Sequence, residues 1–456
     1  MTTTASDISI IELRSHVKGS VIAPDDPAYD DARRVFFTGF DRRPVAVVRP
    51  VDASDVAGVV TFARETGAEL AVRGGGHSRA GFGTSDGGIV LDLSAMNAVE
   101  IDADGRHAWA QAGVTAGEYT RAVGERGLAT GLGDTGSVGL GGITLGGGVG
   151  FLVRKSGLTI DDLLGAEVVT ADGEVLTVDA ETHGDLFWAL RGGGGNFGVA
   201  TRLRLRLHAV DNVVGGMLIL PATADVIEGL IAAADVAPED LSLIANVMKA
   251  PPLPFVPQEH HGKPIVLTQL VYAGAADEAE RALAPIRGLA PPLADTVRPI
   301  RYPEMYAGPE PPHPVFNAGA NLFVHALPAG GGEAILDHVV SATAPIAVVQ
   351  LRVLGGAAAR VPPDATAFAH RDKKLLVVAA AMYTRPEERG EHDAWVTSAA
   401  AALGDPASDP AYVGFLGDDP EDLRRAYPEA TLARLVDVKR RYDPGNLFRR
   451  TMNVPV

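Results

Sequence analysis

Short apolar runs alternate with amphipathic segments along the first half of the chain. Val45–Arg49 and Glu69–Val72 are runs of strand length, and Asp52 precedes a helical period between them, where aspartate is a favoured N-cap. Farther on, Thr115–Glu118 has the spacing of a capping box and predicts a helix that reaches Gly124. The pattern predicts strand, helix and strand in repetition, with glycine-rich loops after the units.

Glycine becomes rarer after about His208, and the pattern changes there. Before this point, alternation on both sides of residues 171–174 predicts a hairpin, and residues 201–207 predict a closing strand. After it, helices alternate with strands, which fits a mixed sheet with covering helices. Further elements are predicted over residues 185–190, 224–234, 264–272, 347–354, 420–427 and 431–441.

The composition is that of a globular chain, and the charge limits its partners. A length of 456 residues favours two domains over one core. The net charge of −17 argues against nucleic acid or an anionic membrane as a partner, because both require clustered lysines and arginines. The absence of cysteine excludes disulfides and thiolate metal sites. Since we find neither a secretory signal nor an apolar run of roughly 20 residues, we expect a cytoplasmic protein.

The first candidate functional motif is Arg73–Ser78, where three glycines follow a predicted strand and precede His77. Consecutive glycine amides without Cβ atoms can approach a pyrophosphate closely, and Arg73 would add positive charge at the rim. A lone histidine in a loop is most often a surface side chain. Here the surrounding glycines favour a role for His77 in binding.

A second glycine-rich segment spans residues 131–148. Residues 131–136 match the dinucleotide fingerprint G-x-G-x-x-G, but that motif requires a preceding strand and an immediate long helix. Glycines continue instead to Gly148, and such a run is a poor helix former. We therefore reject a Rossmann unit and expect a winding wall of backbone amides.

The run Arg73–Ser78, the Gly-x-Gly at residues 81–83 and Gly-Gly-Ile-Val-Leu-Asp-Leu at residues 87–93 resemble the vanillyl-alcohol-oxidase/p-cresol-methylhydroxylase superfamily of FAD enzymes. Within it, the chain is similar to the bacterial branch related to the berberine bridge enzyme and 6-hydroxynicotine oxidase. The resemblance implies an α+β fold with three segments. These are a two-subdomain FAD-binding domain of the PCMH type over residues 1–207, a substrate domain with an antiparallel sheet covered by helices over residues 208–410, and a segment over residues 411–456 that returns to the FAD domain.

The resemblance also implies the residues that bind the cofactor. His77 matches the histidine that holds FAD through a bond from its ring nitrogen to the flavin 8α-methyl group. Thr135 aligns with the cysteine that attaches the flavin a second time in some members, so a single attachment is implied. The residues assigned to FAD are His77, Arg73, Gly74, Gly75, Gly76, Ser78, Gly81, Thr135, Gly136, Gly139, Gly142, Thr144, Gly146, Gly147, Gly150, Gly198, Val199, Asn446 and Asn453.

Three side chains are candidates for catalysis. Several related enzymes carry a carboxylate or tyrosine that takes the substrate proton on the strand matching residues 347–354, whereas this chain offers Gln350 and Arg352. An arginine paired on the outer face of the sheet is the alternative for Arg352. Tyr412 is the leading candidate for proton transfer, and core packing is its alternative. Its segment departs from the family pattern at Gly414.

Two further departures from the family pattern concern the predicted flavin or substrate face. Ser156 stands where a tyrosine is usual, and Asp162 stands where asparagine is favoured. The identity of the substrate therefore cannot be transferred from relatives. A proline-rich stretch over residues 307–314 is a candidate lid over a cleft.

The resemblance implies an FAD-dependent oxidase that removes a hydride from a C–H bond next to an alcohol or amine. The substrate would be a small organic molecule such as a secondary metabolite, and O2 would be reduced to hydrogen peroxide. The alternatives are a covalent flavoprotein dehydrogenase or oxidative cyclase that does not use O2, and a non-catalytic binding protein. We expect a monomer or homodimer. We expect no metal site, because His260 and His261 are adjacent and point apart.

Overall fold

The structure, a computed structural model, describes residues 8–307 and 315–456, and the candidate lid lies outside them apart from Ala307. Within the described ranges, a four-stranded and a five-stranded sheet and one short two-stranded ladder precede a large antiparallel sheet. No helix in this part of the chain has the length and apolarity needed to cross a membrane.

In the first sheet, the His77 loop connects the third strand along the chain to the fourth. Its elements are α1 (Ile10–Ser15), β1 (Ser20–Ile22), α2 (Tyr29–Ala32), β2 (Ala46–Arg49), α3 (Ala53–Thr66), β3 (Leu70–Arg73) and β4 (Ile89–Asp92). The order is β1-β2-β4-β3, with β2, β4 and β3 parallel and β1 antiparallel at the edge. Asp52 caps α3 by accepting a hydrogen bond from the backbone N–H of Asp55, which confirms the predicted N-cap.

The second sheet is antiparallel and supports the second glycine-rich segment. Its elements are β5 (Val99–Asp102), β6 (His107–Gln111), α4 (Ala116–Gly124), β7 (Leu128–Ala129), α5 (Leu140–Gly146), α6 (Val153–Ser156), β8 (Leu163–Val169), β9 (Val175–Val178), α7 (Gly184–Leu190), β10 (Val199–Arg206) and β11 (His208–Ala209). The order is β5-β6-β10-β8-β9, and β11 pairs with β7 in a separate short ladder. The capping box at Thr115 and Glu118 and the β8–β9 hairpin are both confirmed.

The third sheet covers the glycine-rich part of the molecule. Its elements are β12 (Asn212–Pro221), α8 (Ala224–Asp235), β13 (Leu241–Lys249), β14 (Pro264–Tyr272), α9 (Ala276–Arg287), β15 (Ala294–Asp295), β16 (Arg298–Arg301), β17 (Phe316–Val324), α10 (Gly331–Ser341), β18 (Ile346–Val353), α11 (Ala357–Arg360), β19 (Leu375–Tyr383) and α12 (Arg389–Ala401). The order is β15-β12-β14-β13-β18-β19-β17, and β16 also pairs with β12. The α+β class and the helix-covered antiparallel sheet are confirmed.

The last part of the chain packs back onto the second sheet. It contains the helices α13 (Leu423–Ala426) and α14 (Glu429–Tyr442). Leu435 and Tyr442 belong to the same buried apolar cluster as Trp188 and Leu203. The residues after α14 therefore lie beside the glycine-rich segments, although they are distant from them in sequence.

One prediction for the second glycine-rich segment is wrong, because α5 forms there. Its apolar residues Leu140 and Leu145 are buried in the core, which offsets the low helix propensity of the glycines. Gly141 also allows close packing, since a Cβ there would lie 3.1 Å from the carbonyl oxygen of Ala112. Tertiary packing thus outweighs local propensity at this position.

The short helix α6 fastens the third sheet to the glycine-rich part. Arg154 Nη2 donates to the carbonyl oxygen of Ala237 at 2.9 Å, just beyond α8. Lys155 Nζ donates to Asp240 Oδ1 at 2.6 Å, at the start of β13. These contacts fix the position of the sheet over the candidate site.

Candidate functional site

Two glycine-rich segments meet backbone to backbone where β3 ends. A Cβ on Gly75 would overlap the backbone nitrogen of Gly139, and a Cβ on Gly139 would overlap that of Gly75. Gly76 adopts a φ of 73°, which glycine reaches without the strain that a side chain adds. The two predicted walls of backbone amides are therefore adjacent in space.

His77 lies at this junction. Its Nε2 is 3.0 Å from Ser137 Oγ, a residue of the second glycine-rich segment. Its ring stacks on Phe36 with a centroid distance of 4.0 Å and an interplanar angle of 23°. The imidazole is thus oriented by contacts from two separate parts of the chain.

Arg73 is buried in the protein, where the sequence analysis expected a rim charge. Its Nη2 donates to Asp92 Oδ2 at 3.0 Å, and its Nη1 donates to the carbonyl oxygen of Arg34 at 3.1 Å. The guanidinium also donates to the carbonyl oxygen of Ala32. These contacts anchor the His77 loop to the N-terminal segment, and a direct contact of Arg73 with a cofactor stays a prediction.

The other glycines assigned to the cofactor differ in their surroundings. A Cβ on Gly142 would meet no atom within 4 Å in the described structure, so this residue borders open space. A Cβ on Gly147 would lie 3.1 Å from Tyr412 Cε2, and one on Gly150 would overlap the carbonyl oxygen of Leu132. Gly142 can therefore face a ligand, whereas Gly147 and Gly150 are required for contact between protein segments.

The remaining assigned positions line the two walls or support them. Ser78 Oγ accepts a hydrogen bond from the backbone N–H of Phe82 at 3.2 Å. Gly198 packs closely against β8, because a Cβ on Gly198 would lie 2.7 Å from the carbonyl oxygen of Val169. Val199 pairs with Val169 in the sheet. Gly74, Thr135, Gly136 and Gly146 lie in the two glycine-rich segments themselves, and Gly81 follows the first segment.

Three of the assigned residues carry buried polar atoms without a hydrogen-bond partner among residues 8–307 and 315–456. They are Thr144 Oγ1, Asn446 Oδ1 and Asn453 Oδ1. Buried polar groups are rarely left without a partner, so these atoms indicate a polar ligand. A flavin dinucleotide offers donors and acceptors at many positions, and the residues present therefore fit FAD.

The C-terminal run is joined by hydrogen bonds to the loop after His77 and to the loop of residues 191–198. Arg450 Nη2 donates to the carbonyl oxygen of Gly81 at 3.1 Å. Asn196 Nδ2 donates to the carbonyl oxygen of Met452 at 3.0 Å, and Asn196 Oδ1 accepts from the backbone N–H of Val454 at 2.9 Å. Asn446 and Asn453 are thereby held beside the walls.

A polar network links β18 to the second glycine-rich segment. Arg352 Nη2 donates to Asp134 Oδ2 at 2.8 Å, and Arg352 Nη1 donates to the carbonyl oxygen of Val149 at 2.9 Å. Gln350 Oε1 accepts from Arg352 Nε at 2.8 Å, and Gln350 Nε2 donates to Asn246 Oδ1. Arg352 is buried between β18 and the second glycine-rich segment, so the alternative of an arginine on the outer face of the sheet is wrong.

Tyr412 is buried beside the same network. Its hydroxyl oxygen accepts a hydrogen bond from the backbone N–H of Gly148 at 2.9 Å. Its ring meets Phe415 edge to face, with centroids 5.1 Å apart. Burial raises the pKa of Tyr412, so the phenol is protonated at neutral pH and its O–H is available as a donor.

The two departures from the family pattern have different surroundings. Ser156 ends α6, which holds the third sheet. Asp162 is buried, and its Oδ1 lies 2.8 Å from Nε2 of His208, the first residue of the predicted second domain. Burial raises the pKa of Asp162. Its contact with His208 links the two predicted domains across their boundary.

Five members of the site were missed from the sequence: Phe36, Asp134, Ser137, Phe415 and Arg79, whose Cζ lies 5.4 Å from the centroid of the Phe415 ring. Ser137 and Asp134 lie within the second glycine-rich segment, and Arg79 follows His77 by two residues. Their proximity to these motifs in the sequence could have identified them as site residues. Phe36 and Phe415 reach the site only through tertiary packing.

The paired amide walls, the oriented histidine and the overlying sheet define a flavin-binding enzyme. Comparisons with known proteins support this class. The model of the "FAD binding domain" family matches residues 44–179, and that of the "Berberine and berberine like" family matches residues 411–455. The chain belongs to the FAD-linked oxidoreductase family that these two domains characterise.

Individual relatives align over nearly the whole chain. (R)-6-hydroxynicotine oxidase from Paenarthrobacter nicotinovorans is 32% identical over 96% of this chain and 97% of that protein. The FAD-linked oxidoreductase YgaK of Bacillus subtilis is 29% identical over 97% of this chain and 98% of its own length.

Solved structures show the same fold. The crystal structure of 6-hydroxy-D-nicotine oxidase from Arthrobacter nicotinovorans superimposes with a TM-score of 0.85 at 30% identity, covering 96% of this chain and 98% of that one. Xylooligosaccharide oxidase from Myceliophthora thermophila, solved with xylobiose, has a TM-score of 0.84 at 25% identity over 97% and 98% of the two chains.

Proposed function

We propose that the protein is an oxidase that carries FAD covalently on His77 and oxidises a C–H bond next to an alcohol or amine of a small organic molecule. When bound, FAD would supply the hydride acceptor and a route for the two electrons to O2, with hydrogen peroxide as the second product. The observation that supports this most strongly is the position of His77 at the junction of two amide walls. A cytoplasmic location, with which the absence of cysteine is compatible, and a monomer or homodimer stay predictions.

Different groups of residues would bind different parts of FAD. Backbone amides of residues 74–76 and of Gly139 and Gly142 would receive the pyrophosphate, since no Cβ shields them. The unpartnered oxygens of Thr144, Asn446 and Asn453 would accept from the polar edges of the cofactor. Ser137 and Phe36 would hold the imidazole of His77 in the orientation needed for the bond.

The names of two relatives support the substrate class. One is an oxidase of 6-hydroxynicotine and the other is an oxidase of xylooligosaccharides. The first of these substrates is an amine and the second is a polyol. A small molecule that carries one of these groups is therefore the class that we propose for this chain.

We assign proton transfer to Tyr412. The backbone N–H of Gly148 occupies one lone pair of the phenol oxygen, so the O–H is directed to another acceptor. A substrate oxygen or nitrogen at that place would be held by this O–H. As the neighbouring carbon loses its hydride, the proton of that oxygen or nitrogen would pass to the second lone pair of the phenol oxygen, and the phenol would release its own proton to water. Gln350 and Arg352 would position this end of the substrate.

Tyr412→Phe is expected to lower kcat about a hundredfold, the lower end of what a positioned acid or base contributes, with a smaller change in KM. Because burial raises the pKa of Tyr412 above its usual value, its charge does not change between pH 6 and 9. The kcat of wild type and variant should therefore have parallel pH profiles over this range. Tyr119→Phe is the matched control, since Tyr119 is equally buried and bonds to Thr130. A kcat within twofold of wild type for Tyr412→Phe would remove this assignment.

The proposed oxidase activity is tested with purified holoenzyme. Alcohols, amines and sugars are screened for hydrogen peroxide release, and chemically reduced enzyme is exposed to air. We expect peroxide from at least one compound and rapid return of the oxidised flavin spectrum. Enzyme that stays reduced in air would instead be a dehydrogenase or cyclase, and protein that contains no flavin would be a binding protein.

A further inference from the structure

Arg79 is a cation without a counter-ion in the described part of the chain. Its Nη1 is buried and has no hydrogen-bond partner in residues 8–307 and 315–456. The charged group that acts on it in these ranges is Arg352, a second cation. Burial and this neighbour lower the pKa of Arg79 to about 10, so the guanidinium is still cationic at neutral pH. A desolvated cation in such a place is stabilised by an anionic ligand.

Arg79 and Arg352 lie over the same aromatic ring. Their Cζ atoms are 5.4 Å and 5.1 Å from the centroid of Phe415. The ring of Tyr412 also contacts Phe415. Because Asp134 neutralises Arg352 through a 2.8 Å ion pair, one positive charge, that of Arg79, stays unbalanced beside the candidate proton-transfer group.

The third sheet leaves space for this guanidinium. A Cβ on Gly319, in β17, would overlap Arg79 Nη1. Arg79 therefore crosses from the His77 loop to the substrate sheet, and it can do so because position 319 carries no side chain. Arg79 is half-buried as a whole residue, and its Nη1 is buried.

We propose that the substrate of this enzyme carries a carboxylate, which Arg79 binds beside the Phe415 ring with Arg352 next to it. Bidentate pairing with a guanidinium would fix the orientation of such a substrate and place its alcohol or amine carbon near Tyr412. This inference rests on the proposed function, because it names the substrate class of the same site. It does not depend on O2 as the acceptor or on covalent attachment of the flavin.

The test uses holoenzyme and two probes of nearly the same shape, benzoate and its neutral analogue benzamide. Each is titrated at pH 7.5 while the visible absorption of the bound flavin is recorded, which gives a Kd without turnover. The variants are Arg79→Gln, Gly319→Ala and, as a matched control, Arg43→Gln. Arg43 is exposed on the same domain, and its loss changes the net charge by the same amount. Gly319→Ala keeps the guanidinium but displaces it.

Wild type and Arg43→Gln should bind benzoate about 10- to 100-fold more tightly than benzamide, the range expected for a hydrogen-bonded charge. Arg79→Gln should bind both probes equally, and Gly319→Ala should lose most of the preference. Equal binding by wild type, or a preference that persists in Arg79→Gln, would overturn the proposal. Loss of FAD from Arg79→Gln would also overturn the proposal, because Arg79 would then bind the cofactor rather than the substrate. Flavin retention after acid precipitation is measured on the same samples, so failure of the proposed covalent flavin is recorded separately.

Discussion

His77→Ala should yield a protein that releases all of its flavin on acid precipitation, whereas wild type retains one flavin per chain in the pellet. The expected effect is complete, because the imidazole provides the atom through which FAD is attached. Non-covalent FAD can still occupy the walls of residues 74–76 and 139–142, since their backbone amides are unchanged. The measurement is the flavin absorbance of pellet and supernatant after precipitation of equal amounts of protein.

Two control variants make the result specific. Thr135→Ala should retain the flavin in the pellet, because we propose a single attachment. Ser137→Ala removes the hydroxyl that lies 3.0 Å from His77 Nε2, so attachment should be slower but should still reach completion. A yellow pellet from His77→Ala would show that another residue carries the flavin.

Lys439→Met is expected to lower the free energy of unfolding by about 3–5 kcal/mol, the cost of leaving one partner of a buried ion pair alone. Lys439 Nζ and Asp443 Oδ2 are 2.6 Å apart, and both side chains are fully buried. Lys439 also donates to the carbonyl oxygens of Asn196 and Phe448 at 2.8 Å and 3.1 Å. Burial lowers the pKa of Lys439, because removal from water disfavours the charged ammonium group. Chemical unfolding of the holoenzyme measures the change.

The same variant should also reduce flavin content, because Lys439 ties the C-terminal run to the loop of residues 191–198. Asp443 accepts from the backbone N–H groups of Leu447 and Phe448, next to Asn446. The double variant Lys439→Met/Asp443→Asn removes both charges and should recover part of the stability. Arg440→Met is the control, since its ion pair with Asp437 is exposed and should contribute less than about 1 kcal/mol. A loss below 1 kcal/mol for Lys439→Met would show that the buried pair does not hold the segment.

Local signals in the sequence were sufficient for many elements of the fold. The capping box at Thr115 and Glu118 begins a helix at Ala116, and the strand predicted over residues 264–272 has the bounds of β14. Both depend on neighbours within a few residues. The helix α5 was missed because its stability comes from burial of Leu140 and Leu145 in a core that no local pattern reveals.

The candidate site was predictable to the extent that it is built from contiguous motifs. The glycines before His77 pointed to a nucleotide, and the resemblance to FAD enzymes gave the residue that would carry it. The partners of that residue could not be inferred, because Phe36 and Ser137 contact it from distant parts of the chain. The pairing of Arg352 with Asp134 and the burial of Arg73 also depend on which segments the fold brings together.

The attachment site of the flavin is measured most directly by mass spectrometry of the wild-type enzyme. The denatured protein should be heavier than its sequence by one covalently bound FAD, and after proteolysis the added mass should lie on the peptide that contains His77. The peptide that contains Thr135 should have its unmodified mass. An intact protein with no added mass, or a flavin on any peptide without His77, would contradict this account.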